Sequence, residues 1–248
     1  MMQKEMPRKY WRNLPEAELI APLTAQAAER SGRMVEQPAT TPARTVRLLP
    51  RAPAADPQAP IDSLDALRAA TQRCRDCPIG QHATQAVCGE GPLRPAFMFV
   101  GEQPGDHEDL QGRPFVGPAG QLFDDALATL GIARSAVYVA NAVKHFKYEL
   151  RGKRRIHKTA SQREAAACLH WLDDEIRLVR PQALVALGAT AARALLGHDV
   201  AVTKVRGQWL TRADGLRVLV TLHPSAVRRM PPGEQAQARR AWLADLRL

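Results

Sequence analysis

Ala96-Phe97-Met98-Phe99-Val100-Gly101-Glu102-Gln103-Pro104-Gly105 decides how this chain folds. Five apolar residues run without interruption. A glycine closes the run, and a carboxylate and an amide follow inside a turn framed by Gly101, Pro104 and Gly105. An unbroken apolar run of this length reads as a strand covered on both faces. Three more runs follow, at residues 136–140, 183–187 and 216–220, the last broken only by Arg217. Helical patterns separate them. One opens at Asp62-Ser63-Leu64-Asp65 and runs toward Cys74. Residues 118–130 carry Leu122, Ala126 and Leu130 at four-residue spacing and stop at Gly131. Ser161 starts a helix through Arg177, with Glu164 completing a capping box. Gly188 leads into a helix ending at Leu196, and residues 235–246 form a closing helix. Alternating strands and helices, with apolar strands, predict an α/β fold: a three-layer αβα sandwich around a four-stranded, mostly parallel sheet. Sites in such folds lie beyond the carboxyl ends of the strands. There the chain places the loop from Gly101 to Gly105, then Asn141, then His223-Pro224-Ser225.

Upstream, residues 1–33 read as an N-terminal extension, helical in part from Leu14-Pro15-Glu16. Residues 34–60 hold prolines at 38, 42, 50, 53, 57 and 60 among Ala, Thr and Arg, the composition of an extended linker. The folded domain is expected over residues 61–248. Lys and Arg outnumber Asp and Glu by 35 to 25, a net charge of +10. That excess favours a polyanionic partner, because phosphates attract Lys and Arg and release counterions on contact. No stretch approaches the roughly 18 apolar residues of a membrane helix, and the charged N-terminus lacks a signal-peptide core. A cytoplasmic protein without a membrane partner is expected. Four cysteines in such a chain point to metal binding, catalysis or burial before disulfides.

The loop after the first strand could hold a nucleotide as well as another ligand, although neither GxGxxG nor GxxxxGK[ST] occurs. Three segments together say more. Gly101 to Gly105, then Glu108-Asp109 and Gly112-Arg113-Pro114-Phe115-Val116-Gly117-Pro118-Ala119-Gly120, resemble the first motif of family 4 uracil-DNA glycosylases. Asn141 and His223-Pro224-Ser225 resemble the second and third, and the resemblance covers roughly residues 61–248. It implies uracil-containing DNA as partner, with single strands preferred, and a protein acting as a monomer. Uracil must leave the stack to be reached. By resemblance, Phe115 stacks on the flipped base. Asn141 reads its N3–H and O4 edge, and Gln103 joins them in binding uracil. His223 stabilises the charge that builds on O2 as uracil departs. Glu102 stabilises oxocarbenium-like charge on the sugar or orients a nucleophile. Ser225 is placed against DNA.

Residues 147–158 are basic and polar and read as a long loop. Within it Lys153-Arg154-Arg155-Ile156-His157 looks like the hallmark loop of UdgX proteins, members of this group in which the loop histidine attacks C1′ and stays attached. That makes His157 the candidate nucleophile. Lys153, Arg154 and Arg155 would hold phosphates and disfavour the imidazolium. A conventional glycosylase that turns over with water, and a non-catalytic DNA-binding module, are the competing readings. Residues 7–16 resemble the tail end of a separate domain sometimes fused ahead of UdgX-like domains.

Cys74-Arg75-Asp76-Cys77 suits zinc or an iron–sulfur cluster, and Cys168 lies far along the chain. The resemblance favours a structural [4Fe–4S] cluster held by Cys74, Cys77, Cys168 and His145, with His145 where the family has a cysteine. Cys88 is the rival fourth ligand.

Overall fold

The computed structural model of the chain describes residues 61–247, and the expectations for residues 1–33 and 34–60 lie outside the described residues. Helix α1 (Leu64–Arg73) starts on Ser63, whose side chain accepts from the Ala66 N–H. A single turn, α2 (Ile79–His82), leads to strand β1 (Phe97–Gly101). Helix α3 (Asp106–Gln111) follows, then α4 (Pro118–Thr129), with proline at its first turn. Next come β2 (Tyr138–Asn141), β3 (Tyr148–Arg151), β4 (Arg154–His157) and the long α5 (Gln162–Val179). Ser161 and Glu164 do form a capping box on α5. The remainder is β5 (Ala183–Leu187), α6 (Ala189–Leu196), α7 (Val202–Val205), β6 (Gln208–Thr211), β7 (Arg217–Thr221), α8 (Pro224–Arg228) and α9 (Pro232–Asp245).

The central sheet runs β2-β1-β5-β7-β6. Strands β2, β1, β5 and β7 are parallel, and β6 pairs antiparallel with β7. The sheet therefore has five strands where four were expected. Gln208-Trp209-Leu210-Thr211 is too short and mixed to announce a strand; pairing along the β7 edge makes it one. Alternate side chains divide between two cores, as a sheet covered on both faces requires. Met98, Val100, Leu184 and Val218 pack with Leu172 and Ile176 of α5 and Leu195 of α6. Phe99, Val185 and Leu219 pack with Phe123 of α4 and Trp242 of α9. Trp242 is fully buried and its Nε1–H donates to the Leu222 carbonyl, so α9 braces the chain just before His223. Among the described residues no helix is long and apolar enough to cross a membrane.

The stretch 147–158, expected as a long loop, is a two-stranded hairpin, with Tyr148 opposite His157 and Arg151 opposite Arg154. Gly152, at φ +59, takes the first turn position, where a tight hairpin needs positive φ. Its residues are charged because little of it is buried. Alternation puts Tyr148, Leu150, Arg155 and His157 on one face.

Candidate active site

The chain leaves β1 for β2 on one side of the sheet and returns later through β5 on the other. Such a reversal opens a crevice at the carboxyl ends of the strands. Gly101 ends β1 and is in register with Asn141, the end of β2. His223 follows β7 as the N-cap of α8. Backbone bonds lock the floor: Ala142 N–H donates to Gly101 O and Val143 N–H to Glu102 O, both at 2.9 Å.

Phe115 lies over this floor with φ +56, a conformation that a side-chain-bearing residue holds only when its surroundings insist. Gly120 leaves room for that backbone, because a Cβ there would strike the Phe115 carbonyl. A Cβ on Gly101 would meet Phe115 Cζ at 2.7 Å and would collide with Asn141 Oδ1. Glycine at 101 thus lets the ring and the amide share one small space. Glu108, nearly buried, accepts from Gly105 N–H (3.0 Å) and Gly117 N–H (2.8 Å), tying the loops on either side of the crevice together. The Asn141 side chain is buried and has no protein hydrogen bond among the described residues, so its amide is available to a ligand.

His223 is pinned from below. Ser225 N–H donates to His223 Nδ1 at 3.1 Å and the Ser225 hydroxyl lies 2.8 Å from the same nitrogen. Nδ1 is therefore an acceptor, which assigns the proton of the neutral ring to Nε2. Burial, with Arg229 and His157 adding to it, pushes His223 down to about 4. It is a neutral donor across the physiological range. Ser225, expected against DNA, is engaged with His223.

His157 stands at the end of β4 with an edge open to solvent. Gln103 Nε2 lies 2.9 Å from its Nε2 and also donates to Lys158 O at 2.8 Å. An amide nitrogen can only donate, so His157 Nε2 is an acceptor and carries its lone pair. Gln103, 6% exposed, leaves its Oε1 without a partner among the described residues, as does Glu102 Oε1. Burial by the surrounding protein lowers the His157 pKa, opposed by Glu102 and assisted by Arg229. The expected cause, Lys153, Arg154 and Arg155, is not what lowers it. Arg229, next to the His-Pro-Ser segment, was legible as a basic pair, Arg228-Arg229, but was not singled out.

Arg155 has turned inward. It ion-pairs with Asp106 Oδ1 and Asp109 Oδ2, each at 2.6 Å, hydrogen-bonding the second, and its guanidinium lies over Phe146 and Tyr148. It docks the hairpin onto α3. Lys153 and Arg154 are exposed and have no acidic partner among the described residues.

Beneath Asn141 lies an ion pair that the sequence did not announce. Lys144 and Glu175, both fully buried, meet at 2.6 Å. Burial works against the Lys144 ammonium, but Glu175 and nearby thiols hold it above its ordinary value.

Cys74, Cys77 and Cys168 share one apolar cluster with Val143 and Trp171. His145 adjoins it: a Cβ on Gly80 would meet Cys74 O at 2.8 Å and His145 Cε1 at 3.4 Å. Trp171 Nε1–H donates to Cys74 Sγ and Lys144 N–H to Cys168 Sγ, both at 3.3 Å. Such N–H···S bonds suit ligating sulfur. Cys88 faces Thr71 Oγ1 at 3.1 Å instead. Among the described residues no three Cys, His, Asp or Glu side chains are already gathered at metal-holding distances. The donors fit an iron–sulfur group in kind and in neighbourhood.

Residues 88–247 match the model of the uracil DNA glycosylase superfamily. The type-4 uracil-DNA glycosylase of Thermotoga maritima is 40% identical over 71% of this chain and 86% of its own length. That of Pyrobaculum aerophilum is 36% identical over 68% of this chain and 86% of its own length. The type-4 enzyme of Archaeoglobus fulgidus is 30% identical over 67% and 84%.

Proposed function

The chain belongs to the uracil DNA glycosylase superfamily, and from that footing we propose that it removes uracil from DNA and ends covalently joined to the sugar through His157. The first part is N-glycosyl hydrolase chemistry, that of its family. The second rests on one observation: the His157 Nε2 lone pair accepts from Gln103 at 2.9 Å, which aims the ring, and burial lowers the imidazole pKa with Glu102 and His223 within electrostatic reach.

A flipped uracil enters between Phe115 and Asn141. The Asn141 amide pairs with N3–H and O4, which rejects cytosine by setting acceptor against acceptor at N3 and donor against donor at N4. The bond from C1′ to N1 breaks and its electrons go to uracil, whose O2 meets the Nε2–H of His223. A neutral donor suits this task, since it stabilises the leaving anion without titrating at working pH. The Glu102 carboxylate offsets positive charge on the sugar. The His157 Nε2 lone pair then forms the new bond to C1′, and Nδ1–H passes its proton to solvent. Gln103 must release Nε2 for this to happen, so the amide both aims the ring and gates it. The N-alkylated ring is a poor leaving group, so the protein reacts once. Lys153 and Arg154 hold phosphates of a single strand. Cys74, Cys77, Cys168 and His145 would hold a [4Fe–4S] cluster, which when bound supplies a rigid structural tie between α1 and α5.

The relatives' names favour a second reading, excision with turnover by water. Denaturing electrophoresis after mixing with a uracil-containing single-stranded oligonucleotide separates the two. A uracil-dependent band that survives heat and detergent, and is lost in His157→Ala, is expected. Alkali-labile abasic sites with no such band would establish turnover instead.

A further inference from the structure

A fully buried ion pair is an expensive way to stabilise a fold, since apolar residues of the same shape commonly serve as well or better. Lys144–Glu175 has therefore to be explained by what it holds. Lys144 Nζ donates to the backbone carbonyl of Asn141 at 2.8 Å and to Glu175 Oε2 at 2.6 Å. Glu175 Oε1 accepts from Gly89 N–H at 2.7 Å and from Tyr138 O–H at 3.1 Å. The main chain of Lys144 is used too, its carbonyl accepting from Val87 N–H at 2.7 Å. Three separate segments thus meet on one side chain pair: the end of β2, the middle of α5, and the stretch before β1. Packing leaves no slack, because a Cβ on Gly89 would meet Glu175 Oε1 at 2.8 Å and would overlap the Tyr138 ring.

The carbonyl that Lys144 grips closes the last residue of the strand. Past Asn141 the chain turns out of the sheet, and the Asn141–Ala142 peptide is held at its two ends, by the Ala142 N–H bond to Gly101 O at 2.9 Å and by the Lys144 bond to Asn141 O. Without the Lys144 bond the plane would be held at the Ala142 N–H end alone, and the Asn141 side chain could swing by the small angles that separate a pairing amide from a clashing one. We propose that Lys144 and Glu175 are positioning residues for base recognition, setting the Asn141 peptide so that its amide presents the right edge to the pyrimidine. The inference rests on the reading of Asn141 as the base-reading residue.

The test is a double-mutant cycle in the full chain, followed by single-turnover uracil release from a single-stranded oligonucleotide. The double substitution Lys144→Met with Glu175→Gln removes both charges. Glutamine keeps an oxygen for Gly89 and Tyr138, and methionine keeps the volume. Tyr138→Phe is a milder second variant that leaves both charges in place and loosens Glu175. Unfolding midpoints are measured for each. The expected result is a loss of about tenfold or more in release rate for the double variant. A smaller loss is expected for Tyr138→Phe, with near-native midpoints for both. In an Asn141→Ala background both losses should vanish, because a positioning pair has nothing left to position. Losses that add in full to that of Asn141→Ala would show the pair to be structural and overturn the inference. If Asn141→Ala itself releases uracil at the native rate, the base-reading role fails first and the inference falls with it.

Discussion

Gly101→Ala adds one methyl group at the meeting point of the ring and the amide. The backbone at 101 does not need glycine for its own conformation, since Gly101 is not among the positive-φ residues. The substitution therefore tests space alone. The new Cβ would sit 2.7 Å from Phe115 Cζ, where ordinary contact begins near 3.4 Å, and it would press harder still on Asn141 Oδ1. Phe115 cannot yield freely, because its own carbonyl is already against Gly120. Ring and amide must each retreat by roughly 0.7 Å or more, and displacement on the order of 1 Å in a positioned group costs about a hundredfold in rate. Single-turnover uracil release should fall by about 30- to 100-fold, equivalent to roughly 2–3 kcal/mol of transition-state stabilisation. The overpacking should cost only about 1–3 kcal/mol of stability, so the variant folds. Gly131→Ala is the control. It has open space but φ +72, so it should lose about 1 kcal/mol of stability and no rate. Native release by Gly101→Ala would mean that the base does not lie between Phe115 and Asn141, and the site as argued would be refuted.

Adduct formation should hold its plateau as pH falls past the ordinary histidine value of 6.5 and decline only below it. Burial lowers both His157 and His223, so each keeps its neutral form to a lower pH than a free imidazole. A break above 6.5 would contradict this. The depressed His223 contributes stability that is complete above its unfolded value and is lost as pH falls toward about 4, which a urea midpoint series would follow. Arg155→Ala leaves Asp109 buried and uncompensated, so a loss of about 3 kcal/mol and of the adduct is expected while uracil release continues. Adding Asp109→Asn should restore most of the stability. Iron content measured after purification should drop in Cys168→Ala and persist in Cys88→Ala, since Cys88 faces Thr71. Lys153→Ala and Arg154→Ala should each flatten the salt dependence of single-strand binding by about one phosphate.

What the sequence disclosed follows from how local each signal is. The four apolar runs stand out because parallel strands are covered on both faces, and Ser161 with Glu164 marks a helix start without outside help. Strand β6 was invisible because Gln208 to Thr211 has no pattern of its own and exists by pairing. The hairpin was hidden for the same reason: ten mostly polar residues look like a loop until Arg155 is seen docked on Asp106 and Asp109. The site's residue types were legible at the strand ends, but their protonation was not. The basic neighbours of His157 suggested repulsion, whereas burial and Arg229, remote in sequence, set its state. Glu175 lies 31 residues beyond Lys144, and no spacing rule joins a buried lysine to such a partner.

The hairpin begins and ends at one point. Lys158 N–H bonds to Lys147 O at 3.0 Å, so the whole excursion hangs from a single pair of neighbouring peptides. Cut there, the flanking chain would close with a tight turn and leave every strand of the main sheet in register. The segment that carries His157 is thus a cassette, transferable in principle to a related scaffold that offers an acidic pair for Arg155 and an amide for the histidine. On such a scaffold the outcome of a broken glycosidic bond would be decided by ten grafted residues and three receptor positions, with the catalytic floor left as it was.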